Sequence, residues 1–155
     1  MNIAVSKTVT DNAHIAEQVS EMCFGMRVRQ LSRAVTRIYD DALRPFGITS
    51  SQFILLTQLA KQDGTTAVKI GATLDIEKST LSRNLLRLVR IELLAQDPPA
   101  GRRGRGLHLT PKGELMIEQA YPKWIIAQAE VMKVMGAGSR AALDELLKRA
   151  ENLPA

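Results

Sequence analysis

The sequence has little of several residue types that carry common functions. Cys23 is the only cysteine among 155 residues, which excludes an intrachain disulfide and suggests a reducing compartment. Aromatic residues make up only 4% of the chain, which disfavours stacking on single-stranded bases and predicts an aliphatic core. Apolar runs such as residues 53–56 are far shorter than the roughly 20 residues that span a bilayer. With no targeting signal evident in residues 1–10, we expect a cytoplasmic protein without a membrane partner.

Patterns that support catalysis or metal binding are also lacking. No serine-histidine-aspartate set, carboxylate pair or metal-hydrolase spacing stands out along the chain. His14 and His108 are far apart in sequence and only one cysteine is present, so a structural zinc site has little support. The glycines of residues 101–106 do not have the spacing of a phosphate-binding loop. We therefore expect no enzyme, no cofactor and no metal site.

Positive charge is concentrated in one part of the chain. Residues 78–112 contain eight lysines and arginines against two acidic residues, an excess of six positive charges. The whole chain has a net charge of +5, so the other residues together carry a net charge of −1. Such a concentration is typical of a nucleic-acid-binding element and not of a generally basic protein.

Long helices are predicted on both sides of this basic stretch. A first helix over about residues 11–45 should stop before Pro45, and it has one apolar stripe. The stripe consists of Ile15, Val19, Met22, Cys23, Met26, Ala34, Ile38 and Ala42. Thr110-Pro111 can start the helices of about residues 111–153, with a kink at Pro122 and a break at residues 136–139. A stripe this long exceeds what one small core can cover, so we expect a partner surface.

Two shorter helices are predicted between these long ones. Thr49 and Gln52 have the spacing of a capping box in front of an apolar run. Asp63-Gly64 indicates a turn, after which Thr65 can cap a short helix. The apolar positions of that short helix are Val68, Ile70 and Leu74.

The helix that follows residues 75–77 is predicted to read nucleic acid. Its buried face is formed by Leu81, Leu85 and Leu88. Its outward residues carry hydroxyls, an amide and cations: Lys78, Ser79, Thr80, Ser82, Arg83, Asn84 and Arg87. In a helix-turn-helix such a face enters the major groove, where arginine can donate two bonds to guanine O6 and N7. Taken alone, the same face is equally compatible with an ordinary solvated helix.

A basic hairpin is predicted directly after this helix. Residues 93–96 and 106–109 are strand candidates joined by a loop rich in proline and glycine. Arg102, Arg103 and Arg105 place three cations on the tip, which suits the narrow minor groove that attracts arginine. A charged loop that only maintains solubility is the alternative. The order of the elements indicates a recognition helix followed by a wing.

Three further residues each have two interpretations. Cys23 is either a small core residue or an oxidation sensor whose thiolate Arg27 and Arg29 could favour. Tyr121 and Trp124 either fill the core of a dimer or line a pocket for a planar ligand. The structural interpretation is preferred in both cases.

Several segments jointly form a specific pattern. They are Leu31-Ser32-Arg33 through Tyr39-Asp40, Leu43-Arg44-Pro45-Phe46-Gly47-Ile48-Thr49 with Gln52-Phe53, Glu77-Lys78-Ser79-Thr80-Leu81-Ser82-Arg83-Asn84-Leu85, Leu109-Thr110-Pro111-Lys112-Gly113 after the arginine wing, and Ala120-Tyr121-Pro122-Lys123-Trp124. On these residues, from about Met22 onward, the chain resembles the MarR (multiple antibiotic resistance regulator) family of winged helix-turn-helix transcription factors.

The resemblance implies a mainly α fold with a small β-hairpin, forming a single domain over residues 1–155. It implies a winged helix-turn-helix lobe over about residues 49–110 and long dimerisation helices over about residues 11–45 and 111–153. It further implies a homodimer whose two lobes grip double-stranded DNA at a pseudo-palindromic operator. Because members of the family often respond to small aromatic acids or to oxidants, we expect a repressor released by a small effector that the sequence does not identify.

The chain departs from the family pattern at a few positions. Ala100 stands where the wing usually has an aspartate, and Glu77 stands where a shorter capping acid is common, which predicts a weaker start of the recognition helix. In the family's organic-hydroperoxide sensors, the cysteine is followed by a differently spaced pattern with tyrosine partners. Arg27 follows here instead, so the resemblance transfers no sensing role to Cys23. The alternatives are a cysteine-based oxidant-sensing repressor and a winged-helix protein-interaction module without DNA binding.

Overall fold

The structure, a computed structural model, describes residues 4–98 and 104–153. Within these ranges the helices are α1 (Ala4–Met22), α2 (Phe24–Leu43), α3 (Ser50–Lys61), α4 (Ala67–Leu74), α5 (Lys78–Arg90), α6 (Pro111–Met135) and α7 (Ser139–Ala150). The strands β1 (Thr65–Thr66), β2 (Leu94–Gln96) and β3 (Gly106–Leu109) form one antiparallel sheet in the order β1-β3-β2. The predicted mainly α fold is confirmed, and the sheet has one strand more than the predicted hairpin.

The first part of the chain, α1 with the beginning of α2, forms a compact unit of its own. The sequence predicts one helix over about residues 11–45, whereas the structure has two helices separated at Cys23. The Cys23 N–H still donates to the Val19 carbonyl at 3.0 Å, but the Arg27 N–H reaches the Cys23 carbonyl only at 3.4 Å. Gly25 lies in the first turn of α2, beside this break, and glycine is the weakest helix former apart from proline.

The second unit begins at Ile38 and contains the other helices and the sheet. α2 ends before Pro45, as predicted, and a 3-10 turn carries the chain to Gly47, whose φ of +70° favours glycine. The side chain of Thr49 accepts the Gln52 N–H, while the Thr49 N–H donates to the Gln52 side chain at 3.1 Å. The predicted capping box at the start of α3 is therefore confirmed.

The core of the second unit consists almost entirely of aliphatic side chains. Its buried members are Leu43, Ile48, Phe53, Leu55, Leu56, Leu59, Ile70, Leu81, Leu85, Leu88, Leu93, Leu94, Leu107 and Ala120. The low aromatic content of the sequence predicts this composition. Because burial of aliphatic surface is non-directional, the orientation of each helix depends on which of its faces is apolar.

The segment that leads into α4 differs from the prediction in two respects. Thr65 and Thr66 form β1, so the cap of α4 is Thr66, whose hydroxyl accepts the Lys69 N–H at 3.5 Å. The prediction that Thr65 caps this helix is wrong because α4 begins at Ala67, which places Thr66 at the cap position. Val68 is 81% exposed while Ile70 is buried, so the predicted apolar face is also wrong at Val68. Two residues at this spacing lie on nearly opposite sides of a helix and cannot share one face.

The start of α6 is held against the segment between α5 and β2. Thr110 caps α6 by accepting the Gly113 N–H at 3.0 Å, and Pro111 occupies the first turn, as predicted. The Thr110 hydroxyl donates to the Glu92 carbonyl at 2.7 Å, and the Thr110 N–H donates to the Leu93 carbonyl at 3.2 Å. A Cβ atom on Gly113 would lie 2.2 Å from the Leu93 carbonyl oxygen, so the close approach requires glycine.

The last two helices carry exposed apolar surface. α6 continues through Pro122, which supplies no N–H to the helix, and α7 begins after the predicted glycine-rich break. The large apolar side chains exposed on α6 and α7 are Leu115, Tyr121, Ile125, Ile126, Val134, Met135, Leu143, Leu146 and Leu147. Among the helices of residues 4–98 and 104–153, none has both the length and the apolar character needed to cross a membrane.

Gly113→Ala should destabilise the protein, because the added methyl group would overlap the carbonyl oxygen of Leu93. Overpacking of this kind costs about 1–3 kcal/mol, so the urea midpoint should fall. Gly25→Ala is a control, because a Cβ atom there meets other side chains at 3.6 Å or more, and its stability should be unchanged or raised. A Gly113→Ala protein as stable as the parent would contradict the described packing of the α6 start.

Candidate nucleic-acid interface

α5 has one buried face and one exposed face. Leu81, Leu85 and Leu88 are at most 5% exposed, as their spacing predicts. Six of the seven predicted reading residues are exposed: Lys78, Ser79, Thr80, Ser82, Arg83 and Arg87. Because the apolar face fixes the rotation of α5 about its own axis, the two arginines lie on the solvent side.

α4 and α5 form a tight helix-turn-helix. Asp75 ends α4 with a left-handed φ of +49°, and the Ile76 N–H donates to the Gly71 carbonyl at 3.1 Å. A Cβ atom on Gly71 would lie 3.0 Å from the side chain of Leu81, so the two helices approach closely at this point. α5 is the second helix of the pair, which is the one that enters the major groove in helix-turn-helix proteins.

Glu77 caps the N-terminus of α5. Its carboxylate accepts the Thr80 N–H at 3.0 Å and the hydroxyl of Ser79. These hydrogen bonds lower the pKa of Glu77 to about 2. The Ser79 hydroxyl is the largest cause, followed by the backbone N–H groups of Ser79 and Thr80. A lowered pKa means that the cap contributes fully above the ordinary value of 4.5 and is lost as the pH falls toward about 2. The longer side chain of Glu77 thus supplies the cap that the family pattern assigns to a shorter acid.

Two more of the predicted reading residues make contacts within the protein. The guanidinium of Arg83 donates to the Thr80 hydroxyl at 3.2 Å, which directs it along the helix toward the N-terminus of α5. Asn84 is half-buried, and its side-chain oxygen accepts the Gln52 amide at 3.4 Å. Gln52 belongs to α3 and is only 3% exposed, so this hydrogen bond joins α5 to α3. The other six residues predicted to read DNA are exposed, whereas Asn84 is not.

The hairpin formed by β2 and β3 follows α5, as predicted. Gln96 lies opposite Leu107, and the strands pair antiparallel up to the loop. Arg105 is exposed immediately before β3. Arg102 and Arg103 lie outside the described residues, so their place on the tip stays a prediction.

His108 forms a cluster with two aspartates where the strands of this hairpin lead into its loop. Its Nδ1 lies 2.9 Å from Oδ1 of Asp63, and its Nε2 lies 3.1 Å from Oδ1 of Asp97. The hydrogen bond with Asp63 is the largest cause of the raised pKa of His108. Burial, the next largest effect, lowers this pKa, and the charges of both aspartates and the hydrogen bond with Asp97 raise it further. A Cβ atom on Gly106 would lie 2.3 Å from the Asp97 carboxylate, so glycine leaves room for this cluster.

The sequence contains a signal for only half of this cluster. A hairpin with Gln96 opposite Leu107 brings His108 close to Asp97, and this follows from the strand register. Asp63 comes from the turn after α3, 45 residues away in sequence, so its contact with His108 depends on the pairing of β1 with β3.

The residues with two interpretations lie elsewhere. Cys23 is partly buried at the junction of α1 and α2. Trp124 packs against the core, and its ring centroid is 5.9 Å from that of Tyr39 and 6.2 Å from that of Tyr121. Tyr121 is half exposed. Whether Cys23 senses oxidants, and whether the aromatic residues serve a dimer core or a ligand, stay predictions.

Known proteins share this sequence pattern. The model of the MarR family matches residues 46–104. The multiple antibiotic resistance protein MarR of Salmonella typhimurium is 29% identical over 128 residues, which are 81% of this chain and 88% of that protein.

Solved structures share the fold. A cysteine-to-serine mutant of MarR from E. coli complexed with operator DNA is 26% identical with a TM-score of 0.74, over 88% of this chain and 98% of that one. The M. tuberculosis transcriptional regulator MosR in complex with DNA is 32% identical with a TM-score of 0.73, over 83% of this chain and 96% of that one. The helix-turn-helix of α4 and α5 with the following hairpin is thus that of a winged-helix DNA-binding protein. The chain belongs to the MarR family and is a transcriptional regulator, as its relatives are.

Titration by NMR should give His108 a pKa above the ordinary value of 6.5. Because the pKa is raised in the folded state, the cluster stabilises the fold fully below pH 6.5, and this contribution is lost as the pH rises through the folded pKa. Asp63→Asn should lower the pKa of His108 more than Asp97→Asn does, since the bond with Asp63 is the largest cause. If neither variant changes the pKa, the two carboxylates do not hold the imidazole in solution.

Proposed function

We propose that the protein is a homodimeric repressor that binds a pseudo-palindromic operator and is released from it by a small molecule. The observation that carries this proposal is the exposed face of α5, where Arg83 and Arg87 lie on the side away from the buried leucines. A helix that is fixed by the core and directs arginines outward suits the major groove.

Direct reading of bases is assigned to Arg83 and Arg87. Each guanidinium can donate two hydrogen bonds to O6 and N7 of a guanine. The two residues are about 6 Å apart along the helix axis, so they can reach different base pairs. Contacts to phosphates and neighbouring bases are assigned to the other exposed polar residues of α5: Lys78, Ser79, Thr80 and Ser82. Asn84 supports them by holding α5 against Gln52.

The hairpin is assigned to the minor groove through Arg102, Arg103 and Arg105. Arg105 is exposed immediately before β3, and the cluster of His108 with Asp97 lies at the loop end of the same hairpin. A narrow minor groove attracts arginine because its electrostatic potential is strongly negative. We assign to this cluster part of the bracing of the loop that the family pattern assigns to an acid at position 100.

A second copy of the chain is the proposed partner of the long helices. The large apolar side chains exposed on α1 and α2 are Ile15, Val19, Met22, Phe24, Val28 and Leu31. α6 and α7 carry the exposed apolar residues described above. Exposed apolar surface of this extent is typical of an interaction site. A two-fold dimer would also give two copies of α5, which is what a pseudo-palindromic operator requires.

A planar aromatic molecule is the proposed class of effector. Tyr39, Trp124 and Tyr121 stack in sequence, and the half-exposed ring of Tyr121 ends the stack. Aromatic walls favour planar apolar ligands, and the Tyr39 hydroxyl with its acceptor Gln128 provides polar groups beside them. Binding at this place would act on the helices that are proposed to join the dimer.

Arg83→Ala should weaken binding to an operator that the full-length protein selects from a random duplex library. Loss of a base-reading arginine costs about 1–3 kcal/mol in each half-site, so the Kd should rise by roughly 5- to 150-fold for each of the two arginines removed. Arg140→Ala is the matched control, because Arg140 is an exposed arginine of α7. We expect its Kd, measured by fluorescence anisotropy at the same salt concentration, to stay close to that of the parent.

Binding by the Arg83→Ala protein that is as tight as binding by the parent would remove α5 from the DNA interface. A parent protein that selects no duplex would favour the alternative of a protein-interaction module.

A further inference from the structure

Leu86 is an apolar side chain on the exposed face of α5. It is 61% exposed and lies outside the buried core, although it follows directly after buried Leu85. Residues three and four positions apart are neighbours on a helix surface, so Leu86 lies beside Ser82, Arg83, Val89 and Arg90. Ser82, Arg83 and Arg90 are exposed, whereas Val89 is half-buried against the core. Leu86 therefore lies on the exposed side of the helix, outside its leucine stripe.

The charges around Leu86 decide what kind of partner can cover it. Arg83 and Arg90 lie beside it on α5, and Arg87 is exposed on the same helix. An apolar protein surface would take these guanidinium groups out of water without supplying anions, which is costly. The major groove of DNA supplies phosphates for the arginines. It also presents one apolar group on its base edges, the 5-methyl group of thymine.

We propose that Leu86 contacts the 5-methyl group of a thymine in each half of the operator. The contact would select thymine over cytosine, because cytosine lacks the methyl group and presents an N4 amino donor that leucine cannot bond. The arginines around Leu86 then read bases or phosphates next to this pair. This inference rests on the proposed function, since it requires α5 to lie in the major groove.

Deoxyuridine provides the test, because it differs from thymidine only in lacking the methyl group. The full-length protein first selects an operator from random duplexes, and each thymine of one half-site is then replaced singly by deoxyuridine. For the parent, we expect one replacement to weaken binding about fourfold, the factor for exposing one buried methyl group to water.

The variant Leu86→Ala makes the test specific to this side chain. It should bind the thymine operator more weakly than the parent, and deoxyuridine at the same position should cause no further loss. Val68→Ala removes another exposed apolar side chain, on α4, and should keep the full sensitivity of the parent to deoxyuridine. Because Leu86 is exposed, the thermal unfolding midpoint of Leu86→Ala should match that of the parent, which shows that the variant is folded.

Two results would overturn the inference. One is a parent protein that binds every deoxyuridine duplex as tightly as the thymine duplex. The other is a Leu86→Ala protein that keeps the sensitivity of the parent. If either result is obtained while Arg83→Ala still weakens binding, the proposed function stands and only the role of Leu86 is refuted. A parent protein that selects no duplex would refute both the proposed function and the role of Leu86.

Discussion

Burial of Leu81, Leu85 and Leu88 is the constraint on which the exposed face of α5, the proposed DNA-reading surface, depends. Each side chain is at most 5% exposed, and full burial of one leucine contributes about 1.5–3 kcal/mol. Rotation of α5 about its axis would expose these leucines and bring Arg83 or Arg87 toward the apolar core, where an unpaired charge is costly. The outward direction of the two arginines therefore follows from what the opposite face buries.

The hairpin is positioned by its buried leucines, Leu94 and Leu107, and by polar contacts at its two ends. At one end, Thr110 bonds the carbonyls of Glu92 and Leu93 and fixes the start of α6 beside the end of α5. At the other end, His108 joins the hairpin to the turn after α3 through Asp63. Because the pKa of His108 is raised by its aspartates, the contact at this end weakens as the pH rises and His108 loses its proton.

Patterns that are local in sequence predict most of this fold. The capping signals before α3 and α6 and the leucine spacing of α5 involve residues within one or two turns, where helix geometry alone decides the outcome. Predictions failed or were missing where a distant segment decides. Thr65 and Thr66 pair with β3, Asn84 bonds Gln52, and His108 bonds Asp63. None of these contacts follows from periodicity, because each needs the tertiary fold.

Binding of DNA through the basic surface of α5 and the hairpin is tested most directly by its salt dependence. The selected operator, labelled with a fluorophore, is titrated with the full-length protein at 50 mM and at 200 mM salt. We expect the affinity to fall by about a thousandfold, the loss that accompanies release of counterions from roughly six phosphates. An affinity that does not change with salt would contradict a phosphate-binding role for this surface.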